Sequence, residues 1–334
     1  MKITIIGAGM AGLVAANMLR RHDVEIIERG KKLPHNHTAL LRFRTTAVSD
    51  ATGIPFQRET VHKGLWDGEK VINIPTIAHL NRYSAIVTDG ELHNRSIFNL
   101  ASAERWVAPV DFVDLMARNL KIEFNRDFSR ISHICYDEPV ISTVAMPFMM
   151  KMFGWPDPPD FKYLPVWTLR ATMFHPISNI CQTLYNTELE VPWYRATIHG
   201  QQLTLEFMHE PSFVNGTTGP LMLAKQAIDM FFNHKPIAVL TSEGGVSGWI
   251  TTNGFADAHI TDIQSNKIPI GKIRPIEEKV RKAFMIWLTE KYNIYSLGRF
   301  ACWRNILLDD VVQDVKRIEA MIETGTTYEQ RKKI

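Results

Sequence analysis

The feature that most restricts the fold is a glycine pattern near the N-terminus. Gly7, Gly9 and Gly12 stand as GxGxxG between the β-branched run Lys2 to Ile6 and LVAANMLRR, whose apolar residues repeat at helical spacing. Gly7 permits a tight turn, Gly9 lets the backbone approach a pyrophosphate, and Gly12 lets helix and strand pack closely. The helix start offers free amides and the positive end of a dipole to phosphate, with Ala8, Met10 and Ala11 in the same cradle. A second β-branched run, Val24 to Glu28, ends 21 positions after Gly7, where a Rossmann unit places the acid that accepts ribose hydroxyls. Strand, glycine turn, helix and strand open a βαβ unit and predict parallel pairing of the two strands. The combination reads as a dinucleotide site; the motif alone does not separate FAD from NAD.

Composition narrows the rest. A chain of 334 residues has room for about two domains or one enlarged α/β unit. No apolar run approaches the roughly 20 residues of a membrane helix, so a membrane-spanning protein is excluded. The net charge of +3 gives no argument for a large nucleic-acid or anionic-membrane footprint and leaves room for local basic clusters. Cys135, Cys181 and Cys302 form no CxxC pair, which predicts a reducing compartment without a disulfide framework. The chain enters its glycine turn by Gly7 without a basic leader, and a cytoplasmic protein is expected.

Along the chain, Leu33 to about Asn99 is loop-rich and is expected to wrap a ligand instead of joining the central sheet. Arg105 to Leu120 has helical periodicity, KIEFNRDFSRI reads as a strand, and EPVISTVAMP as a buried strand ended by proline. From about Trp155 to Phe213 the chain is β-rich; LMLAKQAIDMFF and PIEEKVRKAFMIWLTEKY read as helices, the second with Pro275 in its first turn. The final unit reads as strand, Gly-Arg turn and a long helix with Val311, Val312, Val315, Ile318 and Met321 on one face. The expected architecture is α/β. A Rossmann-like, three-layer domain with a parallel sheet is assembled from 1–32, 105–150 and 290–325, and a β-rich substrate or cap region from 33–104 and 151–289.

IIGAGMAGLVAANML…VEIIERG resembles the N-terminal signature of FAD-dependent oxidoreductases, in which Arg29 follows the ribose-binding acid. KIEFNRDFSRI, PVISTVAMP and YSLGRFACWRNILLDDVVQD are similar to segments of the superfamily that contains UDP-galactopyranose mutases and amine oxidases. The resemblance implies FAD as cofactor, the Phe128 backbone on the adenine side, Arg299 at the pyrophosphate, and the Asp309, Asp310 and Val312 turn against the ribitol and flavin. CQTLYNTELEVPWYRATI is similar to the mutase segment in which an aromatic and an arginine face a sugar diphosphate, but the paired phosphate-clamping arginines and tyrosines are not recognisable. LRFRTTAVSDATGIPF together with GRFACWRNILLDDV resembles phage-encoded flavoproteins that process amino-acid groups on thymine in hypermodified DNA.

Other residues are weighed on their chemistry. Arg42 and Arg44 flank Phe43 and would share one side of an extended segment, facing flavin phosphates, a substrate anion or solvent. Tyr194 and Arg195, beside Trp193, are candidates for an aromatic and cationic substrate wall, with core packing as the alternative for the aromatics. His35 and His37 lack the third ligand and acidic partner of a metal site, and no metal is expected. SEGGVSGW lacks the spacing of a second nucleotide motif and reads as a turn or substrate loop, and Cys302 as a packed thiol. The functional expectation is an FAD-dependent oxidoreductase acting on an amine or amino-acid group, with a small molecule or an amino-acid-modified nucleobase of DNA as substrate. A non-redox flavin mutase, an NAD-dependent dehydrogenase and a non-catalytic nucleotide-binding protein are the alternatives.

Overall fold

The computed structural model describes residues 1–34, 41–88, 90, 97–128, 138–174, 181–211, 218–231, 237–240, 246–250 and 259–325. The elements run β1 (Lys2–Ile6), α1 (Met10–Met18), β2 (Asp23–Ile27), β3 (Arg42–Phe43), α2 (Ala47–Thr52), β4 (Gln57–Trp66), β5 (Val71–Ile72), α3 (Ile77–Thr88), β6 (Ala103–Val107), α4 (Phe112–Ala117), β7 (Lys121–Glu123) and β8 (Val140–Ser142). They continue with α5 (Met146–Met152), β9 (Tyr163–Phe174), β10 (Cys181–Asn186), β11 (Arg195–His199), β12 (Gln202–Phe207), α6 (Thr218–Phe231), β13 (Ile237–Leu240), β14 (Val246–Ile250), β15 (His259–Ile273), α7 (Glu278–Tyr292), β16 (Ile294–Ser296) and α8 (Leu308–Thr324).

The fold is α/β, with a Rossmann-like parallel sheet and a larger, mixed β-sheet. The first sheet has the order β16-β8-β1-β2-β7, and every pairing is parallel. Its central strand buries Ile3, Ile5 and Ile6, as a strand covered on both faces should. Helix α1 packs against α8, α2 and α4, and the stripe Val311, Val312, Val315, Ile318 and Met321 of α8 joins the same core. Two segments nearly 300 residues apart are thereby locked side by side.

The larger sheet has the order β15-β9-β12-β11-β10-β4-β6-β3, with β5 paired to β4. Because side chains alternate along a strand, its two faces differ in chemistry. Leu169, Ala171, Leu184, Ala196, Ile198, Leu203 and Leu205 lie in a core with Ala224, Ala227 and Ile228 of α6. The alternate residues, among them Lys63, Thr183, Arg195, Thr197 and Glu206, form a polar face, aligned by the pairings Thr183 with Lys63, Thr183 with Thr197, and Arg195 with Glu206. Helix α3 covers one end of this face through Tyr83 and Val87, which cluster with Leu65 and Tyr194.

Several local readings are corrected. Arg105 to Val107 is strand, paired to β4, and only Phe112–Ala117 is helical in that segment, because the turn at Pro109 separates them. Pro147 does not end a strand but sits in the first turn of α5, where a proline loses no intrahelical hydrogen bond. Pro275 precedes α7, whose N-cap is Glu277. Helix α3 and the 15-residue strand β15 carry no clear periodic signal in the sequence and were not anticipated. Within SEGGVSGW, the stretch from Val246 belongs to β14, which pairs with β13.

Candidate functional site

The glycine turn joins β1 to α1 with the geometry its residues demand. Gly7 has φ of +100°, its amide donates to the Ile27 carbonyl at 2.8 Å, and the Thr143 hydroxyl stands where a Cβ would be. A Cβ on Gly12 would collide with the Gly7 carbonyl oxygen, whereas one on Gly9 would meet nothing within 4 Å. No side chain caps α1. The space over Gly9 is therefore open, and the amides of Met10 and Ala11 begin a helix whose free donors suit an anion.

Glu28 stands beside this turn. Its carboxylate accepts the Ala8 amide at 2.8 Å and the Gly30 amide at 2.6 Å, one on each oxygen, which leaves further lone pairs for a ribose. Arg29 is exposed. The chain leaving β7 is tied to the same loop, since the amides of Asn125 and Arg126 donate to the carbonyls of Gly30 and Glu28. Phe128 follows three residues after Asn125 and is buried in the first core.

The C-terminal segment closes on the turn. Gly298 has φ of +90°, and a Cβ there would stand 2.8 Å from that of Ala11, so the Leu297–Arg299 backbone lies against the first turn of α1. The Leu297 amide donates to Ser142 at 2.9 Å and fixes this approach. Arg299 donates to Asn305 at 3.1 Å and lies 5.8 Å from the centre of the Phe300 ring. At the start of α8, Asp309 Oδ1 accepts from the Thr45 hydroxyl at 2.5 Å, while its Oδ2 is buried with no hydrogen-bond partner among the described residues. Asp310 accepts the Leu307 amide at 2.8 Å at the helix start, and Val312 is buried in the core.

The polar face of the larger sheet carries the remaining candidates. Glu206 forms a two-pronged pair with Arg195, through Nε and Nη2 each at 2.7 Å, and accepts the Tyr194 hydroxyl at 2.6 Å. Burial works against both charges, but each holds the other: Glu206 lies below the ordinary carboxylate range and Arg195 well above its own. Burial, then Glu206, pushes the Tyr194 phenol well up. Trp193 is not part of this wall; it is buried in the apolar cluster with α6. Arg42 donates to the Thr183 hydroxyl at 2.6 Å, Phe43 turns into the first core, and Arg44 is exposed. Sequence alone could not show Glu206 as the partner of Arg195, since the two meet only through the register of β11 and β12.

His35 and His37 lie outside the described residues, as does Cys135. His22, Glu319 and Glu323 place one ligand atom each within 4.8 Å of one another, a group that sequence reasoning did not single out. Arg21 reaches both carboxylates, at 2.9 Å and 2.5 Å, which makes the group an ion-pair network. Burial raises the thiol of Cys181 to about 11 and that of Cys302 to about 12, so neither is a ready nucleophile. No helix among the described residues is long and apolar enough to cross a membrane.

Comparison with known proteins agrees with this geometry. Residues 5–34 match the model of the NAD(P)-binding Rossmann-like domain. A search of curated proteins found no match. Among solved structures, reduced UDP-galactopyranose mutase is similar with a TM-score of 0.65 at 16% identity, covering 99% of this chain and 97% of the mutase. PqsL, a probable FAD-dependent monooxygenase from Pseudomonas aeruginosa, is similar with a TM-score of 0.54 at 12% identity over 99% of this chain and 89% of its own. An oxidoreductase from Methanosarcina mazei has a TM-score of 0.55 at 11% identity over 96% of this chain and 100% of its own. At these identities the likeness is one of fold, an α/β architecture with a Rossmann-like unit at its N-terminus.

Proposed function

We propose that this chain is an FAD-dependent oxidoreductase that removes a hydride from a carbon bearing an amine. The observation that carries the cofactor is the pairing of two unfilled features beside the Gly298 turn: open space over Gly9, and the buried, unpartnered Asp309 Oδ2 at the start of α8. An elongated dinucleotide suits both, with its pyrophosphate over α1, its ribose at Glu28, and its redox-active end toward Asp309 and Thr45. Arg299 would add a charge-assisted hydrogen bond to the phosphates. FAD, when bound, supplies the hydride acceptor.

The protein's part is to hold the donor carbon in line and keep water away. The polar sheet face supplies the wall for this, fixed by the buried Tyr194–Glu206–Arg195 network. An amine that enters deprotonated would give up the hydride of its carbon to the flavin and become an iminium cation, which water hydrolyses after release to a carbonyl and ammonium without a dedicated catalytic base. An amino-acid group, free or carried on a modified thymine of DNA, is the proposed substrate, and its oxidation would lead to decarboxylation or C–N cleavage. The alternative of a mutase acting on a nucleotide sugar draws on the likeness over nearly the full length of both chains. Against it, the arginine in the mutase-like segment, Arg195, is already neutralised by Glu206.

The visible spectrum of the purified protein tests the cofactor. Flavin bands are expected, and a colourless protein that FAD cannot reconstitute would refute the assignment. Anaerobic bleaching by candidate amines, with amino acids first, then separates oxidation from isomerisation.

A further inference from the structure

The polar sheet face holds more positive charge than its own carboxylates answer. Arg42, Lys63 and Arg105 all point to this face, because Arg42 pairs with Val107, Arg105 with Glu59 and Lys63 with Thr183 in a continuous register across β3, β6, β4 and β10. Among the described strand residues two carboxylates share the face, and both are engaged: Glu206 holds Arg195, and Glu59 holds His199 at 2.9 Å. No carboxylate among the described residues lies within 4.0 Å of Arg42, Lys63 or Arg105. Arg42 donates to the Thr183 hydroxyl at 2.6 Å, and Arg105 to the neighbouring Glu104 carbonyl at 2.6 Å.

We propose that Arg42, Lys63 and Arg105 form an oxyanion recess on this face, with the Thr183 hydroxyl at its floor, that takes the carboxylate or phosphate group of the substrate. Partly buried cations without counter-charges repel one another, and an anion placed among them relieves this. The strain is visible on the residues themselves. Burial, followed by Arg105 and Arg42, draws the Lys63 ammonium below its usual range, and burial, followed by Arg195, does the same to Arg42. The recess also lies near the proposed redox end of the cofactor, since Arg42 precedes by three residues the Thr45 that bonds Asp309. This inference rests on the proposed function in taking the polar face as the substrate wall, and it narrows the substrate to an anionic amine.

Anion binding is measured calorimetrically on the protein as purified, with acetate and inorganic phosphate as probes. The comparison set is Arg42→Gln, Lys63→Gln, Arg105→Gln and Arg58→Gln. Arg58 is exposed on the opposite face and paired with Glu104, so it serves as the control. Loss of any one recess cation is expected to weaken anion binding about ten- to hundredfold, and loss of Arg58 to leave it unchanged. Tighter acetate binding identifies a carboxylate substrate and tighter phosphate binding a phosphorylated one. A parent that binds neither probe, or variants that bind as the parent does, overturn the recess. FAD affinity is titrated on the same set. A protein that takes no FAD but binds the probes refutes the cofactor assignment alone, and a loss of FAD affinity in Arg42→Gln with unchanged anion binding reassigns that arginine to the cofactor and overturns the recess.

Discussion

Replacing Gly9 by valine separates cofactor binding from folding. Gly9 has φ of −71° and ψ of 172°, an extended conformation open to any residue, and beyond its chain neighbours no atom of the described residues lies within 4 Å of the added Cβ. The cost to the fold is that of a poor helix cap, about 1 kcal/mol, which lowers Tm by a few degrees, roughly 2–4 °C. The cofactor meets a different situation. In the proposed placement the isopropyl group would fill the space through which phosphate reaches the α1 amides. Losing two hydrogen bonds to a charged group, each about 1.5–3 kcal/mol, amounts to about 3–6 kcal/mol, or roughly a hundred- to ten-thousandfold in Kd. Apo-protein is titrated with FAD by flavin fluorescence, and the melt is followed by circular dichroism. Gly12→Ala supplies the contrast, because its Cβ collides with the Gly7 carbonyl and must lower Tm before any ligand is added. A Gly9→Val protein that binds FAD within about threefold of the parent would refute the assignment of this turn to pyrophosphate.

Three further outcomes are expected. Arg299→Ala should weaken FAD binding about ten- to hundredfold in the same titration with little change in Tm, and equal affinities would detach the C-terminal turn from the cofactor. Glu206→Gln should lower stability in denaturant unfolding by about 3–5 kcal/mol, because it leaves the Arg195 guanidinium without its compensating charge; a midpoint within error of the parent would sink that reading. Glu278 is held down to about 2, first by its hydrogen bond to Arg281. A carboxylate with a depressed folded pKa stabilises the fold above its unfolded value of 4.5 and loses this as pH falls toward about 2. Glu278→Gln should flatten the acid limb of a stability profile between those values, and an unchanged slope would remove Glu278 from the acid response.

How much of this was legible in the chain depends on the range of each interaction. The turn from Gly7 to Gly12 and its parallel strands are local, so spacing and β-branching sufficed to place them. Helix α8 was equally clear, because its apolar stripe repeats over 17 residues. Helix α3 was hidden, since Ile77 is exposed on it and its buried contacts come from Tyr83, Ser84, Val87 and Thr88, a weak stripe without a cap signal. The approach of Arg299 to the glycine turn follows from resemblance, whereas its physical cause is the parallel pairing of β16 and β8 beside β1. The polar face was less accessible still. Alternation in CQTLYN and RATIH shows that two faces exist, but not that Lys63 would lie opposite Thr183 more than a hundred residues on.

That register also decides what the arginine of the mutase-like segment can do. On an isolated strand Arg195 would be a free cation facing any ligand laid on the sheet. The antiparallel pairing of β11 with β12 sets Glu206 directly opposite, close enough for both carboxylate oxygens to be used, and the Tyr194 hydroxyl takes part of what remains. Breaking this pair to free Arg195 for a diphosphate would leave a buried carboxylate exposed to the same negative charge, which is unfavourable twice over. The cations without such partners stand two to four strands from β11, on β4, β6 and β3. A ligand anion laid on this face would on that account be drawn toward Arg42, Lys63 and Arg105 and away from Arg195, because Glu206 on β12 answers Arg195, whereas Glu59 on β4 is taken by His199 and Glu104 on β6 lies on the other side of the sheet.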